Sequence, residues 1–394
     1  MRDLQGAETG TEPAEPLGRL VCLDGLRGVL AVYVMLGHAA PMIPWPALVR
    51  PVVDAVISHG FAAVDLFFAL SGLVIVQSLA RFGNRPMPFL RARARRILPT
   101  YWVVLAGSVI VLAMAPRFPA LPWLIAGDAA HQIWEAGLPH PFAAHVAAHL
   151  ALLQGMLPHA VMPYGEFSLL GPAWSLSTEF QFYLLIALLS GLGEGWKNLD
   201  RLALGCLALA LLGWAAGQVV PAQWRFGRAF LPNESIYFGL GIASVRLLRR
   251  EGGIPVFALV LAVAVALGMA GGNQFRALTP LAWLACLLIQ MHPEAPVLRP
   301  AARLLRHPLL LWLGAISYPL YLVNEPAQRA VAPFILRMTH GSPVGFALIW
   351  GGLAIFLPVL LAALLHAGVE RPFMRQHRRP SISTAGAGQS RVLV

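Results

Sequence analysis

Apolar stretches of about the length needed to cross a bilayer recur along this chain, near residues 20–43, 60–80, 98–115, 172–192, 201–219, 230–246, 254–271, 277–291, 308–330 and 344–366. In lipid such stretches must satisfy their own backbone polar groups, which only helices do segment by segment. Composition agrees, with 58% hydrophobic and 12% charged residues, where soluble domains have roughly 45–50% apolar and about 25% charged. The expected fold is therefore an all-α integral membrane protein of about ten transmembrane helices, with N and C termini cytoplasmic, in the cell (inner) membrane. Under strict alternation, seven of the 29 Lys and Arg fall outside (Arg50, Arg117, Arg225, Arg228, Arg276, Arg329 and Arg337), and the rest, Arg27 among them, fall inside. Topology and anionic lipid then account for the net charge of +11, and no nucleic-acid partner is called for.

Residues 1–19 carry more acid than base, unlike the basic start of a secretory signal peptide, and are expected to form a cytoplasmic disordered tail. Residues 374–394, basic and then Ser/Gly/Ala-rich, are expected to be a second flexible tail, which leaves 20–373 as one membrane domain. Cys22, Cys206 and Cys286 lie in separate apolar stretches without neighbouring histidines, the pattern of core residues rather than of a disulfide framework or zinc site.

Two ionisable residues in the first apolar stretch need a reason to be there. Arg27 and His38 are eleven positions apart, so a helix separates them by about 16 Å along its axis and aims them nearly the same way. An intramembrane cation and imidazole on one face read as a functional surface. Counted inward from the outer ends of their stretches, His38, Asp65 and Glu179 fall at one depth, roughly 8–11 Å below the outer surface. A histidine with a carboxylate is the minimum set for general base catalysis, the acid fixing the tautomer and stabilising the imidazolium. The competing reading is structural, since a buried acid or histidine can simply bond a neighbouring helix, and proton-coupled transporters use the same residue types.

On the inner side, Arg91, Arg93, Arg95 and Arg96 precede the third apolar stretch and form an anion site, for lipid phosphate as a positive-inside anchor or for a phosphorylated ligand. On the outer side, the segment 116–171 carries His131, His140, His145, His149 and His159. His145 and His149 share a helix face as zinc-binding pairs do, but with no Glu between them and no third ligand evident, no metal is expected.

Six pieces in order resemble the membrane acyltransferase-three family: Leu23-Asp24-Gly25-Leu26-Arg27-Gly28 followed by His38, residues 65–72, residues 93–99, Trp174-Ser175-Leu176-Ser177-Thr178-Glu179, Ile316-Ser317-Tyr318-Pro319-Leu320-Tyr321, and Glu370-Arg371-Pro372-Phe373. The resemblance implies a ten-helix enzyme that O-acylates carbohydrate across the membrane. It implies that Arg27 and His38 are essential for transfer, that the arginines 91–96 recognise the acyl donor, and that Glu179 is the family's acid. Where many members carry a second histidine after Tyr-Leu-Trp, this chain has Asn324, whose side chain is limited to hydrogen bonding.

The expected mechanism follows. Acyl-CoA, most simply acetyl-CoA, binds from the cytoplasm with its phosphates on Arg91, Arg93, Arg95 or Arg96 and its arm passing Arg27; no bound cofactor is expected. The thioester meets a hydroxyl of a carbohydrate or lipid-linked glycan, deprotonated by His38, with Asp65 or Glu179 orienting the imidazole. Trp174, Ser175 and Tyr183 border the acceptor path, although interfacial packing also explains the aromatic pair. The rival functions are a proton-coupled transporter or flippase without acyl chemistry, and a polytopic glycosyltransferase.

Overall fold

A computed structural model describes residues 18–114, 121, 123, 137–191, 198–271 and 274–375. Both tails beyond those limits, and His131 and Arg117 of the outer segment, lie outside the described residues. The described residues are helical with no strand, apart from one isolated bridge between Pro158 and Phe226. In chain order the helices are α1 (Val21–Ala39), α2 (Arg50–Ile57), α3 (Gly60–Arg81), α4 (Pro86–Met114), α5 (Phe142–Leu150), α6 (Ala173–Gly191), α7 (Leu199–Val219), α8 (Leu231–Leu248), α9 (Ile254–Ala270), α10 (Gln274–Met291), α11 (Arg299–Leu305), α12 (Pro308–Ala315), α13 (Ser317–Met338), α14 (Pro343–Leu365) and α15 (Arg371–Arg375). A single π-helical turn, His366–Glu370, joins the last two.

Among the described residues, five helical segments are long and apolar enough to cross a membrane: Val21–Met42, Arg50–Arg81, Pro86–Met114, Leu199–Val219 and Pro343–Met374. The protein is thus a multi-pass membrane protein. Helices α6, α8 and α13 have comparable length but carry polar groups inward, including Gln181, Glu234 and Asn324, all buried. Their lower apolarity comes from lining the interior, not from facing water.

Three elements depart from the apolar stretches. Helix α4 begins at Pro86, so the arginines 91–96 lie on the helix itself, and Pro99 sits within it. Pro99 cannot donate a backbone hydrogen bond, and Tyr318 Oη ties α13 to α4 next to it by donating to the Ile97 carbonyl at 2.7 Å. The expected crossing at 308–330 is broken at Ile316 into α12 and α13. Pro319 then falls in the first turn of α13, where a missing N–H costs nothing. Helices α2 and α11 were not anticipated from apolarity, being only 8 and 7 residues long, whereas α5 is the helix on which His145 and His149 share a face.

Small residues let the central helices touch backbone to backbone, as in other membrane bundles. A Cβ on Gly28 of α1 would lie 2.4 Å from the Leu310 carbonyl of α12, and one on Gly241 of α8 would lie 1.9 Å from the Ala69 carbonyl of α3. Helix α1 also packs on α3, α13 and α14, so it runs through the middle of the bundle. Its C-terminal end is fixed by Trp350 Nε1 donating to Ala39 O at 2.9 Å and Gln328 Nε2 donating to Met35 O at 3.2 Å. The three cysteines are free, Cys22 and Cys206 being buried in the core.

Candidate active site

Helices α1, α3, α4, α6 and α13 enclose a cavity of about 150 Å³, the volume of an engineered apolar cavity that accepts benzene. Its polar wall includes Arg27, Arg93, Arg96, Asp24, Glu179, Ser71 and Tyr183. Arg27 is held on that wall because its neighbour Gly28 is clamped against α12, which fixes the rotation of α1. Its Nη2 donates to Ser317 Oγ at 3.4 Å, and its buried Nε has no hydrogen-bond partner. Arg93 and Arg96, three residues apart on α4, share the cavity face. Neither makes an ion pair among the described residues, although Arg93 stacks over the rings of Phe89 and Tyr183 at 5.7 and 5.8 Å. Arg91 and Arg95 point away from the cavity and are exposed. The cluster therefore divides by face, with Arg93 and Arg96 lining the cavity and Arg91 and Arg95 exposed outside it.

Glu179 is one of two acids lining this cavity, with Asp24, and both Ser71 Oγ and Tyr183 Oη donate to its Oε1. It does not share a layer with His38. The N-terminal end of α6 is covered by residues 152–170, where Leu152, Leu169, Leu170 and Ala173 are buried, and Glu179 lines the cavity with Arg27 while His38 does not. Tyr183 stands on the same cavity wall, with the Arg93 guanidinium 5.8 Å from its ring centroid. Ser175 reaches the opposite wall, where its Oγ and Tyr321 Oη share a 2.8 Å hydrogen bond.

His38 lies outside the cavity, on the outer part of α1, half-buried. Its Nδ1 is 2.6 Å from Asn324 Oδ1. Neither Asp65 nor Glu179 orients it, because both carboxylates are engaged elsewhere. Tyr321, on the cavity wall, is one helical turn before Asn324 on α13, so the cavity ends about one turn short of the imidazole's partner.

Asp65, fully buried, belongs to a second polar cluster. Arg228 Nη2 donates to its Oδ1 at 2.5 Å, and Arg276 Nε lies 3.7 Å from its Oδ2. The same arginines hold buried Glu234, through Arg228 Nε at 2.8 Å and Arg276 Nη2 at 2.6 Å. Two buried carboxylates and two arginines neutralise one another. Trp174 is buried between this cluster and the cavity: the Arg228 guanidinium lies 5.4 Å from its ring centroid, while Phe68 of the cavity wall meets it edge-on at 5.8 Å.

The outer histidine pair holds structure together. His145 Nδ1 is 2.8 Å from Ser168 Oγ, and His149 Nε2 donates to Gly165 O at 3.0 Å. Burial lowers His149 to about 4, which keeps it neutral. No group of residues able to hold a metal occurs among the described residues.

Sequence reasoning passed over Glu234 and Glu325, and noted Asn324 without a partner for it. Glu234 was visible as an acid at the start of an apolar stretch, the signal already used for Asp65. Asn324 was visible as a departure at a family position. Glu325, also buried, follows it directly.

The acyltransferase domain model matches residues 20–369. Among curated proteins, the chain is 29% identical to "Acyltransferase MdmB" of Streptomyces mycarofaciens, over 93% of this chain and 95% of that one. It is 27% identical to "Exopolysaccharide production protein ExoZ" of Rhizobium meliloti (strain 1021), over 84% and 95%. It is 26% identical to "Putative membrane-bound transacylase BcsY" of Komagataeibacter xylinus, over 95% and 88%. No solved structure matches. A family match over almost the whole domain, joined to a cationic cavity inside a helical membrane bundle, leads to one assignment: the chain belongs to the membrane acyltransferase-three family and is an acyltransferase enzyme.

Proposed function

We propose that this protein transfers an acyl group, most simply acetyl, from cytoplasmic acyl-CoA across the membrane to a hydroxyl of an extracytoplasmic carbohydrate. The observation that carries this reading is the cavity in which Arg27, Arg93 and Arg96 converge with two acids, Glu179 and Asp24, the latter already paired with Arg19. Such an excess of half-buried positive charge is costly unless an anion completes it, and the phosphates of CoA supply one. The reading includes about ten crossings of the inner membrane, both termini cytoplasmic, and a single domain over 20–373. Carbohydrate as acceptor is supported by the printed names of two relatives, one concerned with exopolysaccharide production and one called "Putative peptidoglycan O-acetyltransferase YrhL" of Bacillus subtilis (strain 168).

In this mechanism the donor's phosphates rest near Arg93 and Arg96, with Arg91 and Arg95 adding positive potential at the entrance. The arm extends past Arg27 toward Tyr321. At the outer end His38 accepts the acceptor's hydroxyl proton as its oxygen attacks the thioester carbon. The new C–O bond forms, the C–S bond breaks, and the imidazolium returns its proton to the departing thiolate. The chemistry needs no metal. A transporter without chemistry is not retained, because the family is one of acyltransferases.

Mass spectrometry of surface glycans from cells with and without the protein tests this proposal. The expected result is a mass difference of one acyl group on a carbohydrate species. Unchanged glycans alongside a changed lipid or small-molecule pool would redirect the acceptor assignment.

A further inference from the structure

The hydrogen bonds around Asn324 determine which nitrogen of His38 carries the proton. Asn324 Nδ2 donates to the Leu320 carbonyl at 3.0 Å and to the Tyr321 carbonyl at 2.7 Å. Carbonyls only accept, so the amide nitrogen must face them and the amide oxygen must face the imidazole. That oxygen lies 2.6 Å from His38 Nδ1. An amide oxygen has no hydrogen to give, so Nδ1 must hold the proton, and the lone pair of a neutral ring is then on Nε2. Asn324 is completely buried, so water does not compete for these contacts.

We infer that Asn324 is a positioning residue that locks His38 in the Nδ1–H tautomer and presents Nε2 as the base toward the acceptor hydroxyl. This rests on the reading of His38 as the base and adds what orients it. The usual partner for such a histidine is a carboxylate, which fixes the tautomer and balances the imidazolium at once. Here the tasks are separated: the neutral amide fixes the ring, and the ionisable group facing His38 is Glu325, the next residue of α13, whose carboxyl group lies within electrostatic reach of the ring and against the backbone at Gly171. The proton balance closes without Asn324 changing state. Nε2 gains the hydroxyl proton, Nδ1 keeps its own, and the Nε2 proton leaves on the thiolate.

The test is thiol release from acetyl-CoA by the purified full chain, in the presence of the glycan that mass spectrometry identifies as acceptor, across a range of pH. Asn324→Leu removes the acceptor and should lower kcat by about 100-fold or more, by comparison with the loss seen when a catalytic histidine is left in the wrong tautomer, with the KM for acetyl-CoA unchanged. Asn324→Asp keeps an acceptor at the same place. It should retain kcat within about tenfold while moving the acidic limb of the pH profile upward, since a carboxylate stabilises the imidazolium. A purely structural role would depress folded yield in both variants and leave the pH profile of the folded fraction in place, which overturns the inference. So would full activity in folded Asn324→Leu. Folded His38→Ala separates the two claims: retained transfer there refutes the base itself, whereas loss there with full activity in Asn324→Leu refutes only the positioning role.

Discussion

The two polar clusters of this membrane interior are built from the same residue types and reach opposite outcomes. In one, Asp65 and Glu234 are matched by Arg228 and Arg276 through contacts of 2.5–3.7 Å, so each buried charge has its counter-charge. In the cavity, Arg27, Arg93 and Arg96 face Asp24, which pairs with Arg19, and Glu179, whose Oε1 is already taken by two hydroxyl donors. A closed set of charges holds helices together, and an open set waits for a ligand. The comparison assigns Asp65 to architecture, although its depth in the sequence had suggested catalysis.

The largest effect should come from breaking the closed set. Asp65→Ala leaves two arginines facing one acid and is expected to cost about 3–5 kcal/mol of stability, read as a loss of monodisperse protein in detergent. A folded Asp65→Ala enzyme with abolished transfer would contradict the comparison. Next comes the outer histidine. Burial holds His149 at about 4 in the folded protein, below its unfolded value near 6.5. The folded state binds fewer protons, so stability is fully present above pH 6.5 and is lost progressively as pH falls toward 4, by up to about 3 kcal/mol. Thermal midpoints measured between pH 7 and 4.5 should fall, and His149→Gln should flatten that slope.

Opening the inner set further should leave the fold intact. Arg93→Ala and Arg96→Ala remove cations without an ion pair, so the thermal midpoint should hold while the KM for acetyl-CoA rises by about ten- to a hundredfold, the worth of one charged hydrogen bond. Arg91→Ala and Arg95→Ala, on the outward face of the same helix, should change that KM by less than about twofold and stability by under about 0.5 kcal/mol. Equal effects from all four arginines would erase the division by face.

How much of this was legible in the sequence depends on whether a local pattern sufficed. The apolar stretches located most of the long helices because span length is a property of one segment. Arg27 was legible for a similar reason, since an arginine inside such a stretch is costly wherever its helix packs. Pairing was not legible. That Asp65 meets Arg228, 163 positions away, depends on how α3 packs beside α8 through Gly72 and Gly241. The role of Asn324 was hidden in the same way, because only the packed bundle brings it to His38. The start of the apolar stretch at 98 did not mark the start of its helix, because α4 begins at Pro86 and carries the arginines 91–96.

The central claim is that donor recognition and base catalysis occupy opposite ends of one path, with Arg27 at the inner end and His38 about 16 Å further out along α1. Acetyl-CoA binding and acyl transfer measured together on purified Arg27→Ala and His38→Ala test it directly. The account predicts that Arg27→Ala weakens acetyl-CoA binding, and that His38→Ala binds acetyl-CoA as the parent does and transfers nothing. Weakened binding in His38→Ala with unchanged binding in Arg27→Ala would contradict it.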